Sequence, residues 1–458
     1  MEFLSIPFVV CMTATFLLYY LRSSSRRWQH CVLLLASCVF IGYYHLTYLW
    51  VVLGVTVFTY FAGKAIRKHI DDKSGAVLLW GSIIVLAGFW LIERYVSSAF
   101  PIGMSFYTFQ ALAYLIDIYW EEEEPENDFF DFLLYMLMFM KFLSGPIERG
   151  VDMLPQLKEA KAFDYDRVVR GLKLVAWGIF LKLVIADRIA PSMDMVLDNV
   201  RSSSGMQLLV ATMVYPIQLY ADFAGYTAMA IGFGRMLGFS FHPNFNRPFV
   251  SQTTGELWRR WHMTLSYWVR DYVFVPLNAS LRGWGKWGTY VSLLVTFVAI
   301  GVWHGAGLTF ACYGLFQGLV IIYETAAKKQ RDRLREIIGA KVWKAIMIVR
   351  TYLLFALSLL FFRVARVDDV FYTYRHMFDG FASSAKELRL GMRDYDWIVF
   401  GIAVVIMLLL EYANNRRSLI LWTERLNAPV RWVVYLGIVF CIFIFGSFGV
   451  ENFIYIQF

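Results

Sequence analysis

Charged residues are scarce in this sequence. They make up 17% of the 458 residues, whereas 59% of the residues are hydrophobic. A soluble domain usually has a charged fraction of about a quarter and an apolar fraction of about half. The imbalance excludes an ordinary soluble domain and indicates that a lipid bilayer surrounds part of the chain. Because a segment in hydrocarbon must satisfy its own backbone hydrogen bonds, we expect an all-α, polytopic membrane protein.

Cysteines are also few, and their positions exclude two kinds of site. Five are scattered along the chain, with no pair at metal-ligand spacing and no pattern of a disulfide framework. We therefore predict no metal site. The net charge of +8 comes from Lys and Arg in loops between apolar runs, where positive charge sets membrane topology. This placement predicts contact with membrane lipid and no nucleic-acid partner.

Internal repeats and long Gly/Ser-rich or Pro-rich linkers are absent as well, so we predict a single domain over residues 1–458. Apolar runs of spanning length predict about eleven to thirteen transmembrane or re-entrant helices. These runs lie near 3–21, 29–61, 76–95, 100–119, 129–147, 171–190, 206–220, 289–327, 345–362, 396–412 and 431–450. The run over 29–61 is too long for one span, and Gly42 with His45 predicts a turn within it.

One apolar segment carries a histidine near its middle. Residues 291–320 contain no Asp, Glu, Lys or Arg, and His304 lies near their centre. A continuous helix of this length would reach about 45 Å, whereas the hydrocarbon layer is about 30 Å thick. Gly301, Gly305 and Gly307 flank the histidine, and glycine lets a helix bend or a second backbone approach. We therefore expect the helix to break at His304.

Burial disfavours the imidazolium form, so His304 should remain neutral at pH 7 and keep a ring nitrogen able to accept a proton. That property is what a general base requires. A histidine that only bonds a neighbouring helix explains this segment equally well.

A second histidine lies in the segment 256–277, which we predict to be one amphipathic helix. At 100° per residue its polar side chains fall within about 80° of one another, and its large apolar side chains lie opposite. The polar set is Arg259, His262, Ser266 and Arg270, and the apolar set is Trp258, Trp261, Leu265, Trp268 and Tyr272. An interfacial helix anchored by Trp and Tyr explains everything except His262. Because His262 and His304 are both flanked by tryptophans, we predict that they converge on one site.

Several sequence blocks, in this order, resemble the membrane-bound O-acyltransferase (MBOAT) family. The resemblance is to its bacterial branch, which serves alginate, peptidoglycan and teichoic-acid modification. The blocks are PIGMSFYTFQALAYLID at 101–117, FLSGPIER at 142–149, YADFAGYTAMAIG at 220–232, NFNRPF at 244–249, WRRWHMTLSYWVRDY at 258–272, GVWHG at 301–305 and FIYIQF at 453–458.

The resemblance implies a ring of helices around a central funnel, with a catalytic core over about 100–327, in the bacterial inner membrane. It matches His304 to the family's catalytic histidine and His262 to its second functional histidine. Substrate-binding roles are assigned to the neighbouring side chains Trp303, Arg259, Ser266, Arg270 and Asp222. A helix-end salt bridge explains Asp222 equally well.

The resemblance also implies a reaction. The donor is expected to be acetyl-CoA, with no bound cofactor, and the acceptor a hydroxyl group of an extracytoplasmic or cell-wall polysaccharide. A separate esterase-like extracytoplasmic protein is the expected partner. One alternative is D-alanyl transfer to teichoic acid from a carrier-protein thioester. Another is a proton-coupled transporter with the histidines as relay residues, although such proteins often contain internal repeats.

Overall fold

Helices make up all the regular secondary structure in the described part of the chain. The computed structural model describes residues 3–97, 100–143, 145–380, 387–416 and 419–449, and these ranges contain no β-strand. The all-α class predicted from the sequence is therefore confirmed. The FIYIQF block at 453–458 lies outside the described residues, as does Ser144 of the FLSGPIER block.

The described chain forms two compact units. One contains the residues up to Val175 together with Tyr226–Pro243, and the other contains Ala176–Gly225 and the residues from Asn244 onward. Both predicted functional histidines belong to the second unit.

The helices begin and end as follows in the first half of the chain. They are α1 Ile6–Leu21, α2 Arg26–Tyr44, α3 Leu46–Lys68, α4 Lys73–Tyr95, α5 Met104–Tyr119, α6 Phe129–Leu137, α7 Phe139–Phe142, α8 Gly150–Met153, α9 Tyr165–Ile179, α10 Asp187–Leu197 and α11 Gly205–Met236. A 3₁₀ turn over Leu154–Leu157 follows α8, and a π-helical segment over Phe180–Ala186 joins α9 to α10.

The second half continues with three short helices, followed by five long ones with short helices between some of them. They are α12 Thr254–Trp258, α13 Met263–Val269, α14 Val275–Ser280, α15 Lys286–His304, α16 Leu308–Ala326, α17 Lys328–Ile338, α18 Ala340–Arg363, α19 Val367–His376, α20 Asp394–Arg416, α21 Leu419–Glu424 and α22 Ala428–Phe445. A π-helical segment, Arg270–Phe274, joins α13 to α14, and 3₁₀ turns cover Pro248–Val250, Arg282–Trp284 and Glu387–Arg389.

Eight of the described helices are long and apolar enough to cross a membrane: α3, α4, α11, α15, α16, α18, α20 and α22. The shorter α1 is also apolar. The prediction of two helices within 29–61 is confirmed, because α2 ends at Tyr44 and α3 begins at Leu46. Between them His45 is extended, with φ −166° and ψ 135°, and its Nδ1 accepts a hydrogen bond from the Thr47 amide.

Two predicted spans differ from the structure. The run over 129–147 is not one helix, because Met138, with ψ 110°, separates α6 from α7. The side chains around this break are largely buried in protein, which is where irregular backbone is tolerated at membrane depth. The run predicted over 206–220 continues to Met236, because the carboxylate of Asp222 has a partner and need not end the helix.

The FLSGPIER block has a packing role within the first unit. The buried carboxylate of Glu148 accepts a 2.6 Å hydrogen bond from the His242 amide and lies 2.8 Å from His242 Nδ1. Gln110 and Tyr135 donate hydrogen bonds to the Glu148 carbonyl oxygen. The bond to Glu148 raises the pKa of His242, a residue to which the sequence assigned no role.

Candidate active site

The break predicted at His304 is present. His304 is the last residue of α15, Gly305 is extended at φ −167° and ψ 159°, and α16 begins after Gly307. Gly305 and Gly307 therefore lie in the turn of a helical hairpin.

Glycines also set the close approach of α15 to α16. A Cβ atom on Gly301 would lie 2.1 Å from the Phe310 carbonyl oxygen, and one on Gly314 would lie 2.2 Å from the Phe297 carbonyl oxygen. Small residues at such contacts let two backbones pack directly against each other in a membrane. The hairpin thereby holds His304 at its tip between two tightly packed helices.

His304 lies in an aromatic environment. Only 4% of the residue is exposed. Its ring centroid lies 4.6 Å from that of Trp303, 5.1 Å from that of Phe362 and 6.3 Å from that of Tyr313, and all three rings are steeply inclined to it. Aromatic rings therefore pack against His304 on several sides, and its neutral form at pH 7 stays a prediction.

The second histidine segment is not one helix, so the prediction of a single amphipathic helix over 256–277 is wrong. Helix α12 ends at Trp258, and α13 begins only at Met263. His262 between them has φ 42° and ψ 55°, in the left-handed region that residues other than glycine rarely adopt. Backbone strain of this kind is concentrated at functional sites, where the surrounding structure must enforce it.

Contacts to the loop before α12 enforce this turn. The Met263 amide donates to the Asn244 carbonyl oxygen at 2.8 Å, and the Thr264 hydroxyl donates to Asn244 Oδ1 at 2.6 Å. The Asn246 amide donates to the Arg260 carbonyl oxygen at 2.9 Å. Hydrogen bonds to the NFNRPF block therefore hold the turn that carries His262 in its conformation.

Buried polar contacts position α12 on the two long helices beside it. The Trp258 indole N–H donates to Gln317 Oε1 at 3.2 Å, and Gln317 Nε2 donates to Ser358 Oγ at 2.7 Å. At the start of α12 the Glu324 carboxylate accepts the Thr254 amide at 2.9 Å. These links were not predicted, because their members are far apart in the sequence.

The turn at His262 changes which side chains are buried together. His262 is completely buried, whereas Arg259 and Arg270 are exposed. The Arg270 guanidinium bonds the Asp271 carboxylate, and Ser266 donates to the Trp261 carbonyl oxygen. The predicted shared face of these polar residues therefore does not exist. The apolar set is buried in protein: Trp258, Trp261, Leu265, Trp268 and Tyr272.

Trp303 lies beside both histidines. The His262 ring centroid is 6.0 Å from that of Trp303 and 4.8 Å from that of Phe223, and Trp303 is adjacent to His304 in sequence and in space. Two buried imidazoles, one at a helix end and one on a strained turn, are thus brought to one indole. Proton transfer and hydrogen bonding to a substrate oxygen are within the chemistry of such a pair.

Asp222 belongs to a buried ion triad. Lys182 Nζ lies 2.7 Å from Asp222 Oδ1 and 2.7 Å from Asp187 Oδ1, and all three side chains are at most 7% exposed. Lys182 belongs to the π-helical segment, a distortion that is frequent near functional sites. Asp222 precedes Phe223, which contacts His262, so this ion triad adjoins the histidine site. The sequence analysis did not indicate Lys182.

We expect Asp222→Asn to lower stability, because it leaves a buried ammonium with one carboxylate fewer. Removing one partner of a buried ion pair costs about 3–5 kcal/mol. Thermal unfolding in detergent should show a clear fall in the midpoint, while the matched replacement of an exposed carboxylate, Asp368→Asn, should leave it unchanged. An unchanged midpoint with a raised KM for an acyl substrate would instead assign Asp222 to substrate binding.

A model of the membrane-bound O-acyltransferase family, MBOAT, matches residues 30–364. That range is more than half of the chain and includes both His262 and His304. The chain belongs to the MBOAT family. It is therefore a multi-pass membrane O-acyltransferase, as the sequence predicted.

Relatives of this chain are named for three different polymers. A probable alginate O-acetylase of Pseudomonas aeruginosa is 31% identical over 403 residues, which cover 82% of this chain and 75% of that protein. A peptidoglycan O-acetyltransferase of Helicobacter pylori is 31% identical over 63% of each chain. A teichoic acid D-alanyltransferase of Streptococcus thermophilus is 28% identical over 59% of this chain and 70% of its own.

Proposed function

We propose that this MBOAT transfers an acetyl group from acetyl-CoA toward a hydroxyl group of an extracytoplasmic polysaccharide. The alginate and peptidoglycan O-acetyl relatives support acetyl transfer, because each is 31% identical to this chain over a longer region than the 28% match to the D-alanyl relative. The observation that carries the catalytic part is the burial of His304 at the α15–α16 turn, with His262 against the same indole.

The proposed step is direct transfer. The sequence has no Gly-x-Ser-x-Gly elbow and no cysteine in a reactive setting, so no covalent acyl-enzyme is required. A ring nitrogen of His304 accepts the proton of the acceptor hydroxyl as its oxygen attacks the thioester carbonyl carbon. The carbon–sulfur bond then breaks, and the CoA thiolate leaves with a proton returned by His304. Such a base contributes about 10²–10⁴ to a rate.

His262 has a complementary role in this proposal. Hydrogen bonding from its imidazole to the carbonyl oxygen would stabilise the negative charge that develops there during attack. Its wholly buried position on a turn held by Asn244 supports a preorganised donor, since the ring does not need to move to reach its place. The exposed Arg259 and Arg270 are proposed to hold the donor at the protein surface, with Ser266 and Trp303 nearer the histidines.

Mass spectrometry of envelope glycans from cells with and without the gene tests this function. We expect glycans of the mutant cells to lack one class of acetyl ester, and the ester to return with the wild-type gene but not with His304→Ala. Loss of D-alanyl esters instead would assign the alternative reaction. Unchanged glycans with a proton flux into liposomes containing the purified protein would favour a transporter and refute the proposal.

An esterase-like extracytoplasmic partner belongs to the same proposal. Purified protein in liposomes with acetyl-CoA on the donor side should release little CoA thiol when alone. Addition of the extracytoplasmic protein fraction and a polysaccharide acceptor should increase both CoA release and acceptor acetylation. Full acceptor acetylation without that fraction would remove the partner from the scheme.

A further inference from the structure

Helix α17 is a short polar helix between two membrane spans. It covers Lys328–Ile338, and only Ala327 and Gly339 separate it from α16 and α18, which are both long and apolar enough to cross a bilayer. Eleven residues of helix extend about 16 Å. Every residue of α17 therefore lies within about 16 Å of the end of a membrane-spanning helix.

The side chains of α17 are sorted by chemistry around the helix. At 100° per residue Leu334, Ile337 and Ile338 occupy an arc of about 100°. They are 45%, 72% and 38% exposed, so the described protein does not cover this apolar arc. The remaining surface of the helix carries its charged residues: Lys328, Lys329, Arg331, Asp332, Arg333, Arg335 and Glu336.

Four cations of α17 have no ion pair with any residue that the structure describes. Among the described residues, no carboxylate oxygen lies within 4.0 Å of the cationic groups of Lys328, Lys329, Arg333 or Arg335. Lys341 and Lys344 at the start of α18 are also exposed and extend the same positive region. A cationic surface beside an exposed apolar arc is the pattern of a helix that lies in a membrane interface.

We propose that α17 lies flat in the headgroup region and binds anionic phospholipid. Leu334, Ile337 and Ile338 would enter the boundary of the acyl chains, while Lys328, Lys329, Arg333 and Arg335 contact lipid phosphates. Basic residues at a membrane surface are attracted to anionic lipid over roughly a Debye length. The phosphates of CoA or an acidic carrier protein would bind only the cations and would leave the apolar arc in water. The exposed arc therefore favours lipid as the ligand of α17.

Nitroxide labels in the full-length protein can test this orientation. In a background with all five cysteines replaced, Ile337→Cys carries a label on the apolar arc and Glu336→Cys carries one on the polar surface. In nanodiscs that contain phosphatidylglycerol, we expect the label at 337 to be accessible to oxygen and shielded from a water-soluble nickel chelate. The label at 336 should show the opposite accessibilities.

The role of charge is tested with two matched fourfold variants. Replacing Lys328, Lys329, Arg333 and Arg335 with Gln should make the label at 337 several-fold more accessible to nickel, as should nanodiscs of phosphatidylcholine alone. The charge-conserving variant, with each Lys replaced by Arg and each Arg by Lys, should behave like the wild-type protein. Thermal unfolding checks that all variants are folded.

Two results would overturn the proposal. In one, both labels are equally accessible to nickel in phosphatidylglycerol nanodiscs, so α17 projects into water. In the other, lipid charge has no effect, whereas CoA or an acidic protein fraction shields the label at 336, so the cations bind a soluble partner.

Discussion

Replacing His304 with Ala should abolish acyl transfer while the protein remains folded and inserted. The loss of a general base lowers a rate by about 10²–10⁴. Apart from His262, no described histidine contacts Trp303 and could take the place of His304. The measurement is acetyl-CoA-dependent acetylation of an envelope polysaccharide in membranes with equal amounts of enzyme.

Controls separate chemistry from packing in this experiment. Because His304 is buried, Ala leaves a void, so His304→Gln keeps most of the volume and should be equally inactive. The matched change His69→Gln, at a partly exposed residue after α3, should retain activity. Activity of His304→Gln near the wild-type level would end the general-base assignment.

The second large effect is expected from Gly314→Val. A Cβ at this position would lie 2.2 Å from the Phe297 carbonyl oxygen and 2.8 Å from the Val298 Cα, both of which are backbone atoms of α15 that cannot rotate away. The two helices of the hairpin must then separate. Overpacking usually costs about 1–3 kcal/mol, and we expect roughly the upper limit or more here.

Gly401→Val is the matched control, because a Cβ on Gly401 meets nothing within 4 Å and Gly401 also lies in a membrane-spanning helix. It corrects for the change in intrinsic helix propensity. The yield of inserted protein and its unfolding temperature should fall for Gly314→Val and remain near wild type for Gly401→Val. Equal values for the two variants would show that close approach of α15 and α16 is not required.

Local signals explain which features of the candidate site were predicted. The break at His304 follows from a segment too long for one span, with Gly305 and Gly307 beside the histidine, and α15 and α16 separate there. The large apolar side chains of 256–277 are buried, because such side chains leave water whether or not the helix that carries them is continuous.

Long-range contacts explain what was missed. The turn at His262 depends on Asn244, which accepts a hydrogen bond from the hydroxyl of Thr264, twenty residues later in the sequence. The partner of Asp222 is Lys182, forty residues away. An isolated segment does not contain these partners, so the amphipathic pattern of 256–277 predicts one continuous helix with Arg259 and Arg270 on the same face as His262.

The amino-acid sequence by itself determined that this chain is an all-α membrane protein, that it breaks at His304, and that it resembles the family to which it belongs. Hydrophobic side chains act through their transfer out of water, and glycines act on the backbone next to them. Both effects can therefore be recognised from the sequence without a structure. Only the tertiary structure decided that His262 lies in a left-handed turn beside Trp303 and that Asp222 pairs with Lys182. Those features arise from hydrogen bonds, ion pairs and ring contacts between distant segments, which exist only after the helices have packed.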